Sequence, residues 1–371
     1  MGDEVLMVAG ETSGDLHAAA VAAEIRSRDP ALRMVGIGGS RMAESGVELI
    51  QHSDALAVMG IVEVVRHVPL HARLLRELRR RMQSGTVGLV VLVDYPGFNM
   101  RVARAARAAG VPVLYYITPQ VWAWGAGRLA ALRDTVTRAA VILPFEESLL
   151  REHGIDATFV GHPLLDQAAH MRPRADARRA LGIPEDARVL ALFPGSRAQE
   201  LARHLDLFVQ TARLLEARMP DLRVMVSVAP GLEVDARRCP YPLVRGASFD
   251  VWRAADAAFA KSGTSTLEAA VADCPLVIGY RTSPWTYRIA RHLVRVPDIG
   301  LVNVVAGRRI APEFVQDALR PGDVAEALAP LLDRDGDAGA RMREGFRDVR
   351  EALGAPGAAA RVATLALEMR R

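Results

Sequence analysis

Three observations predict an α/β fold of two parallel-sheet domains facing a cleft. Short β-branched runs alternate with helical stretches over most of the 371 residues, the rhythm breaks once near the middle, and each half has loops in which an apolar run ends in glycine at a helix start. Alternation of this kind builds βαβ units and parallel sheets. A chain of this length, half of it hydrophobic, suits two cores of about 150–200 residues better than one. Ligands of such sheets gather at the carboxyl ends of the strands, so two Rossmann-like halves could bring a substrate pair together between them.

The elements follow in order. Strands are expected at Val5–Ala9, Arg33–Ile37, Leu89–Val93, Val113–Ile117, Ala140–Leu143 and Thr158–Val160, with helices between them. A polar, arginine-rich interval from Ala169 to Arg179, containing Pro173, reads as the linker. Strands resume at Val189–Phe193, Leu222–Val228, Pro242–Val244, Ala257–Ala260 and Leu276–Tyr280. The expected division is 1–168, joined by the C-terminal helix 343–371, and 169–342.

Composition excludes several classes. Cys239 and Cys274 stand far apart with no CxxC or histidine-rich neighbour, so neither a disulfide framework nor a metal site is expected, and a reducing compartment fits. No basic and apolar leader is seen, and no apolar run approaches the roughly 18 residues of a membrane span. A cytoplasmic protein is expected. The formal net charge of +4 and 5% aromatic content offer no basic stripe with stacking platforms, so nucleic acid is not an expected partner. Lys261 is the single lysine among 47 basic residues.

Four stretches carry chemistry. In "VLMVAGETSGDLHAAA" the strand runs into Gly10 and a helix start, but Glu11 and Asp15 would repel a phosphate there. Acceptor oxygens on Glu11, Thr12, Ser13 and Asp15 suit sugar hydroxyls instead; the ordinary alternative is that Asp15 stabilises its own helix N-terminus. "LVVLVDYPGFN" places Asp94 at a strand end, where parallel sheets present catalytic groups. In "FPGSRAQE", Gly195 permits close approach, Ser196 offers a hydroxyl and Arg197 a planar fork for phosphate oxygens, unless the turn is a plain connection. In "AKSGTSTLE", Gly263, Thr264, Ser265 and Thr266 open a helix and could bind a diphosphate, while Glu268 one turn later could accept bonds from ribose hydroxyls.

The order and spacing of "AGETSGD", "LAVMGIVEV", "VDYPGFN", "ITPQVWAW", "FPGSR", "SGTSTLE" and "NVVAGRRIAPE" resemble the lipid-A-disaccharide synthases over nearly the whole chain. The resemblance implies an inverting, metal-independent glycosyltransferase of the GT-B type without organic cofactor. Its implied substrates are UDP-2,3-diacylglucosamine and 2,3-diacylglucosamine 1-phosphate; the products are the β-1,6-linked disaccharide 1-phosphate of lipopolysaccharide synthesis and UDP. It implies the donor on the second half, with Asn303 and Glu313 joining Ser196, Arg197, Glu268 and the 264–266 backbone. It puts the acceptor on the first half. An inverting transfer needs a base, for which Asp94 is the first choice and His17, read as a helix-surface residue, the weaker one. Some relatives carry a second carboxylate where this chain has Gly97. A UDP-sugar epimerase and a non-catalytic nucleotide-sensing module are the competing readings.

Acylated substrates imply peripheral work at the inner-membrane surface, and a homodimer stays open. Residues 59–83 hold six arginines, two glutamates and Val64, Val68, Ala72, Leu75 and Leu78 at helical spacing. Such a segment could lay Val64, Val68 and Leu75 in an anionic lipid interface, with Pro69 interrupting the helix. The ordinary alternative is a helix packed on the sheet with solvated arginines.

Overall fold

The structure, a computed structural model, describes residues 2–370 except 57–60, 125–126, 284, 286, 289–296 and 335. The side chains of 61–68, 123, 124 and 128 also fall outside the description. The chain divides into two units, Met1–Pro163 with Gly354–Arg371, and Leu164–Leu353. The boundary thus falls at 163/164, and the chain returns to the first unit at 354 instead of 343.

In the first unit, strands β1 (Glu4–Ala9), β2 (Arg33–Gly38), β3 (Glu48–His52), β4 (Val87–Val93), β5 (Val113–Tyr116), β6 (Arg138–Val141) and β7 (Ala157–Phe159) form a parallel sheet in the order β3-β2-β1-β4-β5-β6-β7. The two central strands are apolar on both faces, as sheets covered by helices require. Leu6 and Val8 point into one core with α3 (Ile61–Gln83), α4 (Pro96–Ala108) and neighbouring helices, whereas Val5, Met7 and Ala9 point into another with α1 (Thr12–Arg28). The last helix, Ala358–Glu368, packs on α1 through Val362, Ala363 and Ala366, which is why the chain end belongs to this unit. Helix α2 (Ser40–Glu44) follows β2.

In the second unit, strands β8 (Val189–Phe193), β9 (Arg223–Val228), β10 (Leu243–Arg245), β11 (Ala257–Lys261), β12 (Leu276–Tyr280) and β13 (Glu313–Val315) form a parallel sheet in the order β10-β9-β8-β11-β12-β13. Helix Asp337–Ala352, expected in part to join the first unit, buries Met342, Phe346 and Val349 here. The interval read as a linker is also structural. Arg178 is almost wholly buried and, with Arg174 and Arg334, neutralises the buried Asp256, which also accepts the Val189 amide at 2.8 Å. A buried carboxylate persists only when paired in this way.

Candidate active site

Each sheet reverses its strand order once, between β1 and β4 in the first unit and between β8 and β11 in the second. Loops leaving such a pair diverge, and the gap at the carboxyl edge is where open parallel sheets take ligands. The four sequence stretches singled out above occupy these two gaps.

At the first gap, the Tyr95 ring lies against Gly10, where a Cβ would stand 2.2 Å from it. Asp94 and Tyr95 are both left-handed, with φ of 48° and 50°, a conformation that costs residues with a Cβ about 1–2 kcal/mol each. The Asp94 amide donates to Tyr116 O at 3.1 Å. Its carbonyl accepts from Asn99 Nδ2 at 2.7 Å and Tyr115 Oη at 2.9 Å. The half-buried carboxylate is thus carried by a backbone fixed on both sides. Tyr95 Oη lies 2.9 Å from His71 Nε2. Burial and then the nearby Glu11 carboxylate raise the Tyr95 phenol above its ordinary range. Glu11, Thr12 and Ser13 are exposed at the start of α1.

Asp15 does not share their position. It is buried, and its carboxylate accepts the amides of Gly39 at 2.6 Å, Met42 at 3.1 Å and Arg41 at 3.2 Å. It caps α2, so the carboxylate read for sugar hydroxyls is spent on three backbone amides, while it also stands in the first turn of its own helix. His17 also departs from expectation: it is half-buried, edge-on to the Tyr116 ring, and its positive form would repel a proton on buried His162. Burial first and His17 second push His162 down to about 3.

Beyond β5, Ile117 is left-handed at φ 58° and opens the "ITPQVWAW" run. Trp122 Nε1 donates to Glu146 Oε1 at 3.1 Å, and the Leu143 amide to Oε2 at 3.1 Å. Burial nevertheless drives the Glu146 carboxyl up to about 7.

Helix α3 passes through Pro69 without a break. One lost amide bond is tolerated in a helix anchored by buried Leu74, Leu78 and Met82. Leu75, expected to face lipid, is half-buried and packs on the same core, while Val64 and Val68 lie outside the described side chains. Arg73, Arg76, Arg79 and Arg80 are exposed.

At the second gap, Gly195 has φ 141°, and a Cβ there would meet Glu200 Cβ at 2.5 Å. Glu200 organises this edge, although the sequence reading passed over it. Its carboxylate accepts the Ser196 amide at 3.1 Å and pairs with Lys261 Nζ at 2.9 Å and Arg197 Nη1 at 3.4 Å. Burial raises it, but the Lys261 ammonium, the amide and Arg197 together hold it below the usual carboxylate range. Gly263 has φ 149° and leads into the helix Ser265–Ala272, which follows β11.

The hydroxyls of this loop are spent on the protein. Ser262 donates to Ile299 O, Ser265 to Lys261 O and Thr266 to Gly263 O, while Thr264 is exposed. The amides of Gly263, Thr264 and Ser265 stand at this helix start, and amides so placed suit an anion. Glu268 accepts the indole N–H of buried Trp252 at 2.9 Å on one oxygen, and burial raises its carboxyl. Trp252 in turn stacks on Phe193 at 3.6 Å.

Asn303 and Glu313 were expected to face the donor, but their polar atoms are engaged elsewhere. Asn303 bonds Ile310, Ala311 and Glu313, and Glu313 accepts the Ile299 and Gly300 amides at 2.9 and 2.8 Å. Together they tie the residues that lead into the helix Leu301–Ala306 to the chain entering β13.

The lipid-A-disaccharide synthetase family model matches residues 5–358. The chain belongs to this family. The lipid-A-disaccharide synthases of Syntrophus aciditrophicus and Myxococcus xanthus are 41% and 39% identical to it over 98% of this chain and 97% of each relative. It is accordingly a glycosyltransferase of lipid A biosynthesis. Among solved structures, Medicago truncatula UGT71G1 complexed with UDP-glucose superposes with a TM-score of 0.63 at 13% identity, over 100% of this chain and 99% of that one. The UDP-GlcNAc 2-epimerase of Neisseria meningitidis bound to UDP-GlcNAc gives 0.61 at 10%, over 98% of each. These two share the fold of paired parallel sheets, the GT-B arrangement. Fold does not separate transferase from epimerase; the family match does.

Proposed function

We propose that this chain condenses UDP-2,3-diacylglucosamine with 2,3-diacylglucosamine 1-phosphate, with inversion, and that Asp94 is the base. The acceptor 6-hydroxyl gives its proton to the Asp94 carboxylate as its oxygen bonds to the donor C1. The bond from C1 to the diphosphate oxygen breaks on the opposite face, and UDP leaves as the anion. Glu11, Thr12 and Ser13 meet acceptor hydroxyls. Ser196, Arg197 and the amides of Gly263, Thr264 and Ser265 meet the diphosphate, where fixed donors aimed at developing charge are worth most. Glu268, oriented by Trp252, accepts the ribose hydroxyls. The exposed arginines of α3 hold the protein at an anionic lipid surface, where both acylated substrates reside.

The observation that carries this reading is the contrast between the gaps. One presents the Asp94 carboxylate on a left-handed turn beside Glu11, Thr12 and Ser13 at the start of α1; the other presents a helix start, Arg197 and Lys261 around two glycines. Incubation with both precursors, read by mass analysis, should yield the disaccharide, and water-soluble UDP-N-acetylglucosamine alone should yield no epimer. Asp94→Asn should lower kcat by about 10²–10⁴ and leave UDP affinity by calorimetry unchanged. Turnover within about threefold of wild type would remove Asp94 from the role.

A further inference from the structure

Asp94 and Tyr95 hold two successive left-handed conformations without being glycine, so something must keep the turn from relaxing. Asn99, on the first turn of α4 and wholly buried, stands among three carbonyl oxygens: Val8 at 3.3 Å on β1, Val93 at 3.2 Å on β4, and Asp94 at 2.7 Å. Only a nitrogen donor fits between three acceptors. The amide oxygen therefore faces the other way, buried without a hydrogen-bond partner. An apolar side chain would avoid that orphaned oxygen, which means the residue is present for its nitrogen. The second donor to the Asp94 carbonyl is Tyr115 Oη. Burial and then the Asp94 charge raise this phenol well above its ordinary range, so it stays a donor wherever the enzyme works.

Both donors hold Asp94 by its backbone carbonyl. Fixing the carbonyl fixes the peptide plane between Asp94 and Tyr95, and with it the direction of the Asp94 Cα–Cβ bond. Asn99 additionally ties that plane to β1 and β4, the two strands that flank the gap. We infer that Asn99 and Tyr115 are positioning residues for transfer, aiming the Asp94 carboxylate at the acceptor hydroxyl. The inference rests on the reading of Asp94 as the base.

The test is a pair of double-mutant cycles on the full chain. Tyr115→Phe removes one hydroxyl and keeps the ring in the core; Asn99→Ala removes the amide. Misplacement of a reacting group by about 1 Å can cost about a hundredfold, so we expect kcat to fall about tenfold in Tyr115→Phe and about a hundredfold in Asn99→Ala, with donor KM and UDP affinity unchanged. In an Asp94→Asn background, where no base remains to be aimed, each change should cost less than about twofold. Equal fold losses in both backgrounds, or a loss in donor KM and UDP affinity in place of kcat, would overturn the inference. Asp94→Asn alone judges the underlying reading: if it turns over like wild type, the base assignment fails and the positioning role with it. Should Asn99→Ala not fold, the Tyr115→Phe cycle decides by the same criteria.

Discussion

Replacing Glu146 by glutamine should change how the stability of the first unit depends on pH. Glu146 is buried beneath Trp122, and its carboxyl is raised from 4.5 to about 7 by burial, against the opposing bonds from Leu143 and Trp122. In the unfolded chain it returns to its ordinary value. Below pH 4.5 both states hold the proton, and the full stability is present. Between 4.5 and 7 the unfolded state releases a proton that the native state keeps, so stability falls by about 1.4 kcal/mol per pH unit. Above 7 both states are ionised and the loss levels off near about 3 kcal/mol. Glutamine does not titrate. It keeps a carbonyl oxygen for one donor and sets an NH2 against the other, a cost that is the same at every pH. The wild-type advantage over Glu146→Gln should therefore shrink by about 3 kcal/mol between pH 4.5 and pH 8. Urea titrations of both proteins across this range, scored by hydrogen exchange of β6 so that only the first unit is counted, measure the difference. A difference that stays constant with pH would refute the reasoning.

Three further outcomes are expected. Arg197→Ala should lower turnover by about 10²-fold, as removal of a charge-stabilising donor does, and Arg197→Lys should restore only part of it; full rescue by lysine would mean that a point charge suffices. Asp15→Ala strands three amides at the start of α2 and should destabilise by about 2 kcal/mol in thermal melts while kcat holds; lost turnover with an unchanged Tm would return Asp15 to the acceptor. Replacing Arg73, Arg76 and Arg79 together by glutamine should weaken flotation with anionic vesicles by about 1 kcal/mol per residue, and undiminished binding at physiological salt would detach α3 from the membrane.

The inner strands were legible because they are apolar on both faces and end in glycine, proline or a polar turn. The two strands passed over, β3 and β13, are edge strands: "ELIQH" and "EFV" pair on one side only and lack a continuous apolar run. The positions of the gaps were legible for the same reason as the inner strands. What spacing could not reveal is how each polar atom is spent. Asp15 reaches amides 24 to 27 residues away, and Glu313 reaches Ile299 and Gly300 from across a helix; a side chain that serves a distant turn looks, in sequence, like one that serves a ligand. Glu200 was missed for the converse reason. At the third helical position after Arg197 it reads as a favourable first-turn acid, and only the fold brings Lys261 to it from β11. The arginines at 174 and 178 read as part of a polar linker because nothing local shows that Asp256 waits beneath them.

The two gaps need left-handed backbone for different reasons, and the residue types follow from that. At the second, the proposed ligand group is the backbone itself: Gly195 and Gly263 adopt φ of 141° and 149°, where a Cβ would be strained and would press on Glu200 or Lys261, and glycine gives up nothing where the proposed contacts come from amides and not from its own side chain. At the first, the tool is a carboxylate. Glycine at 94 would relieve the strain and remove the carboxylate proposed as the base. A side chain is therefore held in a conformation it disfavours, and the cost is met by Asn99, Tyr115 and the Tyr116 carbonyl, all of which bond to the main chain of Asp94. Strain at the proposed base and glycine at the proposed diphosphate loop are thus one requirement, a sharp turn at a divergent strand end, answered according to which atoms must be presented.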